Sequence, residues 1–341
     1  EADLKAINDL TTGKITLPAN GHADLTGNVT DVTKALQGIT GYKGTVTVTV
    51  DANTTLAQLQ TILKSTVNKA KFDTSGGATT VATTLEGTAK EITAVLNKFS
   101  TQYNGKLTVT GKYTLADLVA LDKALGASTG VVTLDNDVNL SGKSADIAAA
   151  LSNVTGYAGK ITLTDKPTLA ELVAINNATT EPIKIPTDTA LSGTTADVKA
   201  ALVGIEGYKG NVNLTDSASA ADLNTIAGLT TGVVKATLAV ATPITDATVT
   251  ALANVKTSDI ITLNSTVTTA DATALIALNA LVDTKSYANL IEITEASTTE
   301  NLVTVITNAL AIKPNVAVEI TGPISAADLN TIAGLTTGVV T

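Results

Sequence analysis

Residues Thr114–Pro167 read TLADLVALDKALGASTGVVTLDNDVNLSGKSADIAAALSNVTGYAGKITLTDKP, and Thr168–Ala218 read TLAELVAINNATTEPIKIPTDTALSGTTADVKAALVGIEGYKGNVNLTDSA. The two stretches match throughout, and the second is shorter only between its first helix-type segment and the strand that follows. A length change confined to a connection is what a stacked repeat tolerates. Leu4, Leu59, Leu118, Leu172, Leu223 and Leu329 mark one helix type, with a degenerate copy near Ala272, at a period of about 54 residues. A second helix type interleaves at Asp31–Leu36, Lys90–Leu96, Asp146–Leu151, Asp197–Leu202, Thr248–Val255 and Asn301–Leu310. Each half-unit is therefore a helix plus a strand, about 27 residues long.

Helices are read from spacing and from caps. Ile147, Leu151 and Val154 fall on one face at 3.6 residues per turn. Thr114/Asp117, Thr168/Glu171, Thr194/Asp197, Ser219/Asp222, Thr268/Asp271 and Ser325/Asp328 each set a hydroxyl three residues before a carboxylate, the spacing of a capping box. Gly41, Gly156 and Gly207 close the second helix type where the chain must turn, and Gly44, Gly159 and Gly210 open the next strand. Strands are expected at Lys14–Leu17, Thr45–Val50, Lys106–Val109, Val131–Leu134, Lys160–Leu163, Ile183–Ile185, Asn211–Leu214, Val233–Leu238, Ile260–Leu263, Leu290–Ile293 and Val316–Ile320, each alternating apolar and polar residues. Thr108, Thr133 and Thr162 should point outward, and Leu107, Val109, Val132, Leu134, Ile161 and Leu163 inward.

Strands joined by helices of this length are expected to be parallel, with right-handed crossovers. One unit is too small to enclose a core, so neighbours must stack. The expected fold is an α/β repeat solenoid with one continuous parallel sheet, like leucine-rich repeats in logic but without their Asn/Cys signature. A doubly wound sheet is the runner-up. The domain reading is one array over 1–341, with repeats at 2–53, 54–113, 114–167, 168–218, 219–267 and 268–324 and a partial one at 325–341.

Composition limits function. The chain is 44% hydrophobic but 2% aromatic, with no Trp, Met or Cys, so large cofactor pockets and stacking platforms have little to be made from. All 22 cationic side chains are Lys and the net charge is −9, which argues against nucleic acid and anionic membranes as partners. Mean hydropathy is +0.28, yet no apolar run approaches the ~18 residues of a membrane span. Without Cys there is no disulfide, Fe–S cluster or thiol chemistry.

Catalytic patterns are missing too. His22 is the one histidine and no GxSxG elbow accompanies it. Gly76-Gly77 lacks the Lys-Ser/Thr of a phosphate loop, and there is no GxGxxG. No enzyme and no cofactor are expected. The metal candidate is calcium at Asp135, Asp137 and Asn139, a D-x-D-x-N start with Asp146 at the twelfth place. Leu140 stands where such a loop needs Gly, and the next repeat has Pro186-Thr187-Asp188, so a solvated turn is the default there.

Threonine occupies the polar strand place at Thr16, Thr47, Thr108, Thr133, Thr162 and Thr262, with Lys184, Asn213 and Glu292 interrupting. An ice-binding ladder is one reading and ordinary strand propensity the other. Tyr42, Tyr157 and Tyr208 in GYxG could stack on a glycan; the alternative is a ring covering the end of a turn with its hydroxyl wet. The sequons Asn28-Val29-Thr30 and Asn153-Val154-Thr155 are expected by chance in so Thr-rich a chain.

The phrases SAADLNTIAGLTTGVV, TLADLVALDKAL and SADIAAAL, alternating with VTL and ITL strands, resemble the repeat regions of very large secreted and cell-surface proteins of cyanobacteria and other bacteria. The resemblance spans essentially the whole chain and implies an extracellular or cell-surface structural protein of a surface layer, filament or stalk. The alternative is an adhesin that recognises a glycan or protein through a solenoid face. Ser325–Val340 repeats Ser219–Val234 letter for letter, and the chain opens Glu1-Ala2-Asp3 inside the same helix type. Those uncapped ends lead to the expectation of a longer parent chain, or of contacts with copies of itself, end to end or side to side.

Overall fold

The computed structural model describes residues 2–20, 22–73, 84–127, 130–135, 138–186 and 189–341. Short strands and short helices follow one another, in places two strands in succession. The chain begins with α1 (Ala2–Leu10), β1 (Leu25–Asn28), α2 (Val29–Leu36), β2 (Val46–Thr49), α3 (Leu56–Ser65) and β3 (Lys71–Phe72). It continues through β4 (Thr84–Gly87), α4 (Ala89–Leu96), β5 (Lys106–Val109), α5 (Leu115–Leu125) and β6 (Val132–Leu134), then β7 (Leu140–Gly142), α6 (Ser144–Ala150), β8 (Ile161–Leu163), α7 (Leu169–Ala178) and β9 (Ile183–Lys184). Next come β10 (Leu191–Gly193), α8 (Thr195–Leu202), β11 (Val212–Ala218), α9 (Ala220–Leu229), β12 (Val234–Val240), α10 (Asp246–Thr250) and β13 (Ile260–Ser265). The last elements are β14 (Thr269–Asp271), α11 (Ala272–Leu281), β15 (Glu292–Ala296), α12 (Leu302–Ile312), β16 (Ala317–Thr321) and α13 (Ala326–Ala333).

The contacts divide into two compact units, Glu1–Pro167 with Ala174–Lys184, and Thr168–Val173 with Ile185–Thr341. In the first, the strand orders are β1-β2-β3, β4-β5-β6 and β7-β8-β9; in the second, β10-β11-β12-β13 and β14-β15-β16. All these pairings are parallel, for example Leu25 with Val46, Leu107 with Val132, Leu140 with Ile161 and Val212 with Val234. The α/β class with parallel strands is therefore as expected.

One continuous sheet is not what forms: the described strands make five separate small sheets. Ladders change where two strand segments follow each other with no described helix between, as in β6 to β7 and β13 to β14, the first segment ending one sheet and the second opening the next. The openers β1, β4, β7 and β10 were not anticipated. They carry Leu25-Thr26-Gly27, Leu85-Glu86-Gly87, Leu140-Ser141-Gly142 and Leu191-Ser192-Gly193. The glycine is steric: a Cβ on Gly87 would lie 2.5 Å from Leu56 Cδ2, and Gly142 and Gly193 sit equally tight against Leu115 and Leu169. The first leucine of each preceding helix thus rests on the strand backbone.

Lys14–Leu17 is a second correction, for it forms no strand although Lys160–Leu163 has the same four residues and contains β8. β8 has β7 and β9 on either side, whereas Lys14–Leu17 has no strand paired to it. A third concerns Thr268, which does not cap a helix. β14 occupies that ground, and Asp271 itself caps α11 by accepting from the Ala274 N–H at 2.9 Å.

Alternation places the apolar set inward. Leu107, Val109, Val132, Ile161 and Leu163 are buried and Leu134 half-buried, while Thr133 is exposed and Thr108 and Thr162 half-exposed. In the first unit they are buried together with Leu36, Leu59, Ile92, Leu118 and Ile147 from the helices, and in the second unit Leu172, Val198 and Leu223 are buried likewise; each helix with its strand forms one short coil of chain. Each fully buried side chain of this kind contributes about 1.5–3 kcal/mol.

Candidate functional site

The GYxG turns are the first place to look for a ligand. Gly41, Gly156 and Gly207 have φ of 76°, 71° and 59°, so the left-handed turn after the helix is real. The tyrosines that follow are not wet: Tyr42, Tyr157 and Tyr208 are only 2%, 1% and 3% exposed. Their hydroxyls donate to backbone carbonyls of the coil before, Tyr42 to Ala23, Tyr157 to Val138 and Tyr208 to Thr189, the last at 2.6 Å. Burial pushes the Tyr208 hydroxyl up to about 12, so it stays a donor. The closing glycine makes room for the ring, since a Cβ on Gly159 would lie 2.5 Å from Tyr157 Oη and one on Gly44 2.8 Å from Tyr42 Cε1. These rings are coil-to-coil fasteners and offer no face to a sugar.

Carboxylates have similar roles. Thr114 and Asp117 form a reciprocal box, with Asp117 N–H to Thr114 Oγ1 at 3.2 Å and Thr114 N–H to Asp117 Oδ2 at 3.0 Å. Thr168 and Glu171 do the same, with Glu171 N–H to Thr168 Oγ1 at 3.2 Å and Thr168 N–H to Glu171 Oε2 at 2.8 Å. Thr194 caps through the Asp197 N–H, Ser219 through the Asp222 N–H and Ser325 through the Asp328 N–H. Other acids cap helices of the coil before their own. Asp165 accepts from the Ser144 N–H, Asp216 from the N–H and hydroxyl of Thr195, and Glu295 from the N–H and hydroxyl of Thr273, all within 3.1 Å. The Thr195 bonds hold the Asp216 carboxyl below its usual range. The signal for this set was present in Leu163-Thr164-Asp165 and Leu214-Thr215-Asp216, an acid at a fixed offset after the strand.

A third group fastens strand starts. Asp24 accepts from the Thr45 N–H, Asn139 from Lys160, Asn211 from Val233, Asp259 from Val234 and Asp283 from Ile261, at 2.8–3.1 Å. Ion pairs join successive helices at Lys5–Asp31, Lys90–Asp117 and Lys199–Asp222. The Lys5 ammonium, then the Asn28 amide, hold the Asp31 carboxyl low; Lys199 and Ser219 do so for Asp222.

These contacts bear directly on the calcium candidate. Asn139 is already engaged by Lys160, and Asp135 donates its N–H to the Val109 carbonyl. Asp137 lies outside the described residues, as do Thr187, Asp188 and Gly76-Gly77. Among the described residues no group of three or more His, Asp or Glu side chains is placed to hold a metal. The His22 ring packs 5.0 Å from that of Tyr42.

The outward sheet faces carry the threonines in short rows: Thr26 beside Thr47, Thr108 beside Thr133, and Thr237 beside Thr262. Thr16 is outside any strand, and Thr162 sits between Ser141 and Lys184. On the second unit, Ser192, Asn213, Lys235 and Ile260 align across β10 to β13 and line a shallow depression with Val233. Among the described residues no helix is long and apolar enough to cross a membrane. Compared with known proteins, the chain matches no protein-family model and no curated protein.

Proposed function

We propose that this chain is a non-enzymatic structural repeat protein of the cell exterior, a solenoid whose coils stack into a surface layer, filament or stalk. One observation carries the reading: three buried tyrosines in matching GYxG turns, the helix-start carboxylates and three lysine–aspartate pairs each join a helix–strand segment to itself or to its neighbour. Polar chemistry placed this way serves cohesion along the array.

Fractionation of the native source followed by electron microscopy tests this reading. Antibody label on regular surface arrays or extended fibres is the expected result; label confined to dispersed cytosolic particles would overturn it. A second reading, an adhesin that recognises a glycan or protein through a sheet face, draws its support from the depression lined by Ser192, Asn213, Lys235 and Ile260. Loss of ligand-dependent adhesion in Lys235→Glu, with arrays intact, would favour it.

A further inference from the structure

In the first unit α2 packs on α3 and α3 on α4. Each is the return between parallel strands, so the three point the same way, and their last turns share one end of the unit with the strand starts that follow. Lys34 and Lys64 are in the last turns of α2 and α3, Lys98 follows α4, Lys69 precedes β3, and Lys71 and Lys106 open β3 and β5. All six are exposed, and among the described residues none of them joins an ion pair. They are neighbours in the fold: the Ala70 N–H, between Lys69 and Lys71, donates to the Lys98 carbonyl at 3.2 Å, and the Phe72 and Phe99 rings stack at 3.9 Å beside it. No carboxylate breaks the set. Asp51 and Asp73 follow β2 and β3 at the opposite end, Glu86 is inside β4, and Glu91 is in the first turn of α4.

The second unit presents the converse at its helix starts. Asp197 and Asp246 are in the first turns of α8 and α10, Asp216 accepts the Thr195 N–H at the start of α8 at 2.7 Å, and Glu300 stands just before α12; all four are exposed. The lysines of that unit do not neutralise them. Lys209, Lys256, Lys285 and Lys313 follow helix ends, Lys235 is near the start of β12, and Lys199 is taken by Asp222. The helix starts of the first unit offer no such match, since they mix Lys90 with Asp117 and Lys143 with Asp146. A surface of one sign repels itself, and the relief of two such repulsions at once, when opposite surfaces meet, both orients the contact and makes it sensitive to salt.

We propose that the lysine end of the first unit docks on the acidic helix-start end of the second unit of another copy of this chain. The proposal rests on the reading that copies assemble, and it adds which surfaces meet. Sedimentation velocity on the full 341-residue chain tests it. The Kd for self-association should rise at least about tenfold between about 25 mM and about 500 mM salt. Two variants separate the surfaces: Lys64→Glu with Lys69→Glu and Lys98→Glu leaves the acidic end native, and Asp246→Lys with Glu300→Lys leaves the lysine end native. Each alone should lose the low-salt association, and an equimolar mixture of the two, with one of them labelled, should regain it. If circular dichroism shows that the reversals disturb folding, the neutral set Lys64→Gln, Lys69→Gln and Lys98→Gln should still weaken association about tenfold. Association that ignores salt and these substitutions, or a mixture of folded variants that stays monomeric, would overturn the docking and leave the assembly reading standing. A wild-type chain that is monomeric at both salts would overturn both.

Discussion

Ser219–Val234 and Ser325–Val340 are one sequence in two settings. In both, the serine caps its helix, Ile226 and Ile332 are 0% exposed, and Thr230 and Thr336 donate to carbonyls of the coil before, Gly210 at 2.8 Å and Val316 at 2.7 Å. Gly232 and Gly338 press against that same preceding backbone. The copies part company at Leu223 against Leu329, Ala227 against Ala333 and Val234 against Val340, buried in the first and open or half-open in the second. α9 packs on α8 and on β12, and α13 packs on α12. One set of side chains is buried in both settings, and the other differs between them.

That division can be broken by substitution. Leu223→Ala should cost about 2–4 kcal/mol and Leu329→Ala under about 1 kcal/mol, because only the first leaves a cavity. Urea unfolding, with hydrogen exchange to assign the loss to each helix, checks this, and equal losses would break the comparison. Ile226→Ala and Ile332→Ala should instead cost alike, about 2–4 kcal/mol each, since both are fully buried.

Smaller changes sharpen the same contrast. Thr230→Val and Thr336→Val keep the shape but leave a buried carbonyl unpaired, and each should lose about 1–2 kcal/mol by the same measurement. Ser219→Ala and Ser325→Ala remove equivalent caps and should lose about 1 kcal/mol apiece. The least effect belongs to Lys199→Ala, which removes the partner of Asp222. The pair is partly exposed, so its loss is under about 1 kcal/mol at neutral pH. Asp222 is depressed below its ordinary 3.8 on folding, so the pair's contribution is present above that value and disappears as pH falls through the folded one. Wild type and Lys199→Ala should therefore converge in stability once the pH lies below the folded value of Asp222; a gap that persists in acid would assign the effect to lost packing.

Much of the array was legible beforehand. The Leu4-type and Asp31-type helices are present because a 3.6-residue apolar spacing and a hydroxyl three residues before an acid are local signals. Asp117 shows that even the short acid closes its box. The Leu-x-Gly strands were hidden because three residues carry no periodicity, and their glycine matters only through a leucine from another coil. The tyrosines were half legible: the turn could be read, but not the carbonyl that takes the hydroxyl, which comes from 19 residues earlier in the chain. Asn139 fits a calcium loop by spacing, and the bond its side chain makes, accepting from the Lys160 N–H of the next strand, could not be read from that spacing.

By itself, the sequence determined most of the helices, the parallel direction of pairing, most of the caps and the sidedness of the strands it marked, because these follow from neighbours a few residues apart and from the length of a crossover. Only the tertiary structure decided where ladders stop, which acid caps which helix across coils, and whether a leucine is core or surface. Lys14–Leu17 and Lys160–Leu163 make the point in four letters, coil in one place and holding a strand in the other. A strand draws its hydrogen bonds, and a helix face its burial, from segments 20 or more residues away in such arrays, so identical residues take different states when those neighbours differ.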